Sequence, residues 1–550
     1  MSDRTALLAA IAANPDDDTP RLIYADWLDE HLPDSTPSPA AGPSARAEYI
    51  RVQCRLARYP FDDPDYPELL EREQDLAEWL NAHTPPADAD PDLPDDLNWY
   101  GEFDSGEGRP YARGFPEEAE YTEFADEPDE SVARILAALP AAFARSTVRS
   151  LRLVDAYGEE VVGLMRSPVM AGLRGLSLSD IADDNEAGAV RAIAASPHLT
   201  GLRRLYLDFY VDDDDLHRLA KAEHLDALES LALDYPSLLG LEPLAAAPWF
   251  RNLRALQLWA DGRDALTAVA GLPEMPNLVS LSLRGAVAPT AAAVRAFAAS
   301  RSFPRLAQLE FDSTRLTAEM VAALARGRWP LRHLKLGRTP VRKAGAEALS
   351  NAAFAGTLRA LELKECDITA GGVQALAASA ALAGLRHLDL RGNPVGPGGL
   401  QALARSPHLR GLRALALSNC DTTRAPLAAA AVRSFLTALD APELRHLMLD
   451  RLPVGVRGGR ALAAGGTFAN LTRLTLAECG LRENGARAIA ESANLGRLTV
   501  LDLSDNGAGG GVSKLADPAV LPRLGRCNLS RNRVPKWPHA RLRKRPGVQV

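Results

Sequence analysis

The chain is 550 residues long, 47% hydrophobic and 24% charged, and no stretch approaches the about 18 consecutive apolar residues that a membrane-spanning helix needs. Its 5 cysteines are odd in number and lack C-x-x-C spacing, which speaks against a disulfide framework and for a reducing, cytoplasmic setting. The net charge of -9 conceals a split, because residues 1–147 hold 33 acidic and 11 basic side chains and the remainder 38 and 51. Two parts with different surfaces are expected, the acidic one either simply solvated or docked on the basic one or on a basic partner.

Arg4 followed by the apolar run from Ala6 to Ala13 has the outline of a secretion signal, but Asp3 offsets the charge and acidic residues follow at once. A first amphipathic helix is expected instead. Asn14-Pro15-Asp16-Asp17-Asp18 makes a turn, and Thr19 is expected to cap a second helix with Pro20 at its first position. That helix should present Leu22, Ile23, Trp27 and Leu28 on its apolar face. After a Pro/Ser/Ala linker from Leu32 to Ser44, a third helix carries Tyr49, Ile50, Val52 and Leu56 and ends near Arg58. A fourth is expected from about Tyr66 to Asn81, giving a helical domain over 1–82. Asp16, Asp17, Asp18 and Asp26 lack the spacing of a calcium loop, and the helix dipole explains acidic residues ahead of a helix better. Residues 83–147, rich in Pro, Asp and Glu, read as a connector with partial order.

The run Ala13-Asn14-Pro15-Asp16-Asp17-Asp18-Thr19-Pro20-Arg21-Leu22-Ile23-Tyr24-Ala25-Asp26-Trp27-Leu28-Asp29-Glu30-His31, followed by Arg46-Ala47-Glu48-Tyr49-Ile50-Arg51-Val52-Gln53, resembles the bacterial repeat-companion domain. The resemblance implies a small helical domain placed ahead of repeats, with no established activity. The link after His31 is longer than the family's short turn. Arg113-Gly114-Phe115 resembles an element found between such helices and the first repeat.

From Val148 to Leu529 a version of L-x-x-L-x-L recurs fifteen times, in steps of 25 to 29 residues with one of 32. The copies begin at Val148, Leu173, Leu202, Leu228, Leu253, Leu278, Leu306, Leu331, Leu358, Leu385, Leu412, Leu444, Leu471, Leu498 and Leu524. The pattern resembles that of leucine-rich repeats. In Leu385-Arg386-His387-Leu388-Asp389-Leu390, Leu388 and Leu390 share one side of a strand while His387 and Asp389 share the other. Neighbouring coils and the Ala-rich helices behind them must cover the leucines. The residue three after the last strand leucine is Cys366, Asn393 and Cys420, then, after Leu452, Cys479, Asn506 and Asn532. Short side chains that hydrogen-bond inward suit that turn. The near alternation resembles the ribonuclease-inhibitor class, and Gly345-Ala346-Glu347-Ala348-Leu349 resembles bacterial repeats named for a G-A-L-A motif. Upstream the position holds Ala156, Ile181, Tyr210, Pro236, Asp261, Ala286, Thr314 and Thr339, so the coils are expected to be less regular there. The fold class expected is α/β, a solenoid over 148–534 with a parallel concave sheet and convex helices. A cap with a basic tail is expected over 535–550.

No catalytic motif is present, and no enzyme activity or cofactor is expected. Gly507 to Lys514 superficially resembles a phosphate loop, but its lysine spacing is wrong and it falls where each repeat turns. His333, His387 and His446 fall in one strand column, too far apart to share a metal, and read as exposed groups of a recognition face. The wall expected to meet a protein partner holds Tyr206, Asp208, Gln257, Trp259, Arg284, Glu310, His333, Lys335, Glu362, Lys364, His387, Asp389, Arg391, His446 and Arg473. Trp259 is the anchor candidate, or else packs on a neighbouring strand residue or under the acidic connector. Mixed charge signs argue against a nucleic-acid groove. The expected function is a non-enzymatic scaffold binding protein on its concave face. The alternative is an adaptor whose helical domain recruits a second component.

Overall fold

The computed structural model describes residues 3–31, 45–58, 69–70, 72–74, 76–77, 80, 98–99, 111–112, 115–116, 118–121, 128–179, 181, 186–236, 241–259, 265–285, 289–422, 426–545 and 547–550. The 32–44 linker, most of the 83–127 connector, Arg113-Gly114 and the turn positions Asp261 and Ala286 lie outside them. The chain divides into two compact units, one reaching to Gln308 and one from Leu309 onward, and each is taken by itself.

In the first unit, α1 (Asp3–Ala13), α2 (Asp18–His31) and α3 (Ala45–Arg58) form the N-terminal helices. The α2 start is capped by Asp17, whose carboxylate accepts the Thr19 amide at 2.9 Å, and not by Thr19 as expected. Its buried face is Arg21, Tyr24, Ala25 and Leu28, an i, i+3, i+4, i+7 set, whereas Ile23 is 50% exposed. Of the expected face, Leu28 is buried and Leu22 and Trp27 pack partly buried against the same core, while Ile23 falls outside that phase and stands in solvent. Arg51 bridges Asp26 at 2.7 Å and Asp29 at 2.8 Å, and Gln53 reaches Tyr49 and Glu73. Arg72 grips Glu48 through two bonds of 2.7 and 2.6 Å. The polar residues of the 13–53 motif that make these bonds thus hold helices together.

Within the stretch read as connector, Glu118–Tyr121 forms a strand and α4 (Pro128–Arg145) a helix. Ile135, Ala138, Leu139 and Ala142 sit at helical spacing and are buried, but Pro140 within the run hides the pattern from a reader who treats proline as a breaker. Glu118–Tyr121 pairs in parallel with Ser150–Val154, one coil ahead of the first leucine repeat. Parallel pairing continues through Gly175–Ser179, Arg204–Val211, Ser230–Pro236, Ala255–Trp259 and Ser280–Arg284. Arg149 ties the helices to this sheet. Its guanidinium donates to the carbonyls of Ala12, Phe143, Ser146 and Val148 and lies over the Phe143 ring.

In the second unit, strands at His333–Gly337, Ala360–Glu362, His387–Asp389, Ala414–Ala416, His446–Met448, Arg473–Thr475, Val500–Asp502 and Arg526–Asn528 pair in parallel, and Val548–Gln549 extends the row. From Ala360 on, the repeat strands are three residues long; those of the first unit run five to eight. The turn residues tie neighbouring coils together. Asn393 Oδ1 accepts the Cys366 and Ile368 amides, and its Nδ2 donates to the Leu363 and Leu390 carbonyls. Asn506 and Asn532 repeat the arrangement on their own coils. Cys366, Cys420 and Cys479 each donate their thiol to a leucine backbone carbonyl of the preceding coil. The residue just before the turn is left-handed in the nine coils of the second unit: Ser313, Arg338, Glu365, Gly392, Asn419, Arg451, Glu478, Asp505 and Arg531. This turns the chain out of the sheet. Arg545, only 6% exposed, donates to the Leu515, Asp517, Val520 and Leu521 carbonyls, so it closes the final coil.

A candidate protein-binding face

A parallel sheet with helices on one side leaves alternate strand positions on the other. Register stacks those positions into columns about 4.8 Å apart. In the first unit one column reads Asp208, Asp234, Trp259, Arg284 and another Tyr206, Ala232, Gln257. The Tyr206 hydroxyl donates to Asp234 Oδ2 at 3.0 Å. Asp234 is buried at 2% exposure, and burial, with Asp208 alongside, pushes its carboxyl up to about 6 against the pull of the Tyr206 hydroxyl and Arg284. Burial and the two carboxylates also push the Tyr206 phenol up. Trp259 is 37% exposed and Tyr210 57%. Tyr210 was read only as a turn position. The run Tyr206 to Val211, aromatic and β-branched, carried the signal for a longer strand that brings it onto the wall.

In the second unit the first column is His333, Ala360, His387, Ala414, His446, Arg473 and the next is Lys335, Glu362, Asp389, Ala416, Met448, Thr475. His333 Nε2 lies 2.6 Å from Glu362 Oε1, and the Lys335 ammonium 2.7 Å from Glu310. Burial alone would raise Glu362; His333, Lys335 and Arg391 overcome it and hold the carboxyl down at about 2. Arg391 grips Asp389 through Nε and Nη2 at 2.8 and 2.5 Å. Asp450 accepts from the Ser418 and Thr475 hydroxyls and the Ala477 amide. Lys364 stands half exposed, 3.8 Å from Glu365.

One expectation needs correction. His387, Asp389 and His446, expected to stand in solvent, are each 8% exposed. Alternation with Ala360 and Ala414 leaves room for imidazoles against the sheet, and Arg391 covers Asp389. Much of the wall's charge, moreover, is spent on pairs within the wall. Gly507 to Lys514 is a strand-to-helix turn: Asn532 takes the Ala508 amide, and Gly511 packs against the Glu483 carbonyl.

Among the described residues no group of three His, Cys, Asp or Glu is placed to hold a metal ion, and no helix is long and apolar enough to cross a membrane. The family model described as Leucine Rich repeat matches residues 357–377 and 385–404. No curated protein matches the sequence. Among solved structures, the complex of Rad7 and Elc1 in yeast is similar at 18% identity, covering 62% of this chain and 88% of that one with a TM-score of 0.41. A Bacteroides fragilis protein is similar at 13% identity, covering 60% and 76%, with a TM-score of 0.27. The strand, turn and helix of each coil, their period, and the matched segments agree on an α/β solenoid fold of leucine-rich-repeat type.

Proposed function

We propose that the chain is a non-enzymatic scaffold that binds a protein partner on the concave wall, the sheet face opposite the helices. The carrying observation is the exposed aromatic pair Tyr210 and Trp259 on a wall whose charges are otherwise largely paired. Exposed aromatics on a rigid sheet are what binding hot spots are made of. The Asn and Cys turn hydrogen bonds support the ribonuclease-inhibitor-like class for the later repeats. The ion pairs among motif residues of α2 and α3 support reading 1–82 as a repeat-companion domain. Five free, buried cysteines support a cytoplasmic setting, and mixed charges on the wall support a protein partner over nucleic acid. The adaptor reading gains no separate observation, because Arg149 and the Arg203–Asp16 pair attach the N-terminal helices to the first coils. A photo-crosslinker at Tyr210 or Lys364 should capture a partner in the native host, and one at Arg487, on the helix side, should not. Capture at Arg487 alone would move the site to the helices.

A further inference from the structure

Asp234 is 2% exposed, yet strand register places it on the wall between Asp208 and Trp259. Its Oδ2 accepts the Tyr206 hydroxyl, while its Oδ1 is buried with no donor and the Asp208 carboxyl lies within hydrogen-bonding reach of Asp234. A buried carboxylate oxygen without a donor is costly, and the neighbouring Asp208 adds a second negative charge. Arg284 is near enough to act on Asp234 through its charge, yet it does not satisfy that oxygen. The partly exposed Trp259 indole is the register neighbour of Asp234. An orphaned acceptor, a second carboxylate and an aromatic face are complementary to one chemical group above others. A guanidinium lays its flat face on an indole while giving in-plane N–H groups to carboxylates; an ammonium has no such plane.

We propose that this patch binds an arginine side chain on a basic segment of a partner protein, its guanidinium stacked on Trp259 and donating to Asp208 and to Asp234 Oδ1. The inference rests on the reading of the wall as a protein-binding face, and it names the chemistry of the partner.

The test uses the full chain and a fluorescein-labelled peptide of alternating glycine and arginine, followed by fluorescence anisotropy at physiological ionic strength. Saturable binding is expected, weakened about tenfold or more by Trp259→Ala, by Asp234→Asn, and by lysine in place of arginine in the peptide. Trp259→Phe, which keeps a ring face, should retain most of the affinity. Circular dichroism establishes that each variant is folded, and the lysine peptide needs no variant at all. Equal affinity for the lysine peptide overturns the proposal. So does wild-type affinity in Trp259→Ala, which would mean attraction to the acidic residues of 1–147, and so does the absence of saturable binding. If the peptide fails while a partner still crosslinks at Lys364, the arginine site falls and the protein-binding wall stands. If both fail, both readings fall.

Discussion

At the scale of single residues, short polar side chains facing inward hold the turns of most later coils. Asn393 serves two amides and two carbonyls at once, so Asn393→Ala leaves several buried backbone groups without partners. A loss on the order of 3 kcal/mol or more is expected, read by urea denaturation. Asp234 behaves in the opposite sense. Its carboxyl is raised to about 6, so the folded state holds the proton more tightly than the unfolded chain does. That stability is fully present below the unfolded value of about 4 and is lost as pH rises through about 6. Asp234→Asn keeps an acceptor for Tyr206 and removes the charge. It should therefore exceed wild type by on the order of 1–3 kcal/mol at pH near 8, with the gap closing near pH 4. A variant less stable than wild type at high pH would contradict the assignment.

At the scale of elements, coil follows coil only if helices approach closely. Gly511 shows the limit, since a Cβ there would lie 2.2 Å from the Glu483 carbonyl oxygen, which belongs to the backbone and cannot swing aside. Gly511→Ala should cost on the order of 1–3 kcal/mol, measured as a lowered melting temperature, although alanine is the better helix former. No loss would mean that the two segments can part freely. At this scale much of the fold was legible in the sequence. The leucine period marks all fifteen strands between Ser150 and Asn528, because two leucines two residues apart must share one buried face. The helix Pro128–Arg145 was not legible, because Pro140 and the acidic surroundings mask its apolar stripe.

At the scale of the whole molecule, each unit repeats one coil, so the side chains on its wall vary while the leucines behind them do not. Which residues stand on the wall follows from strand phase and could be read from the sequence. Which remain available could not, because pairing across strands depends on register between coils. Lys335 is bound to Glu310 and Arg391 to Asp389, while Trp259 and Lys364 keep substantial exposure. The most direct measurement of the central claim is affinity capture from a native-host lysate, comparing wild type with the folded variants Trp259→Ala and Lys364→Glu. The account predicts a protein captured by wild type and lost with at least one of them. A partner retained by both variants would contradict it and place binding away from the wall.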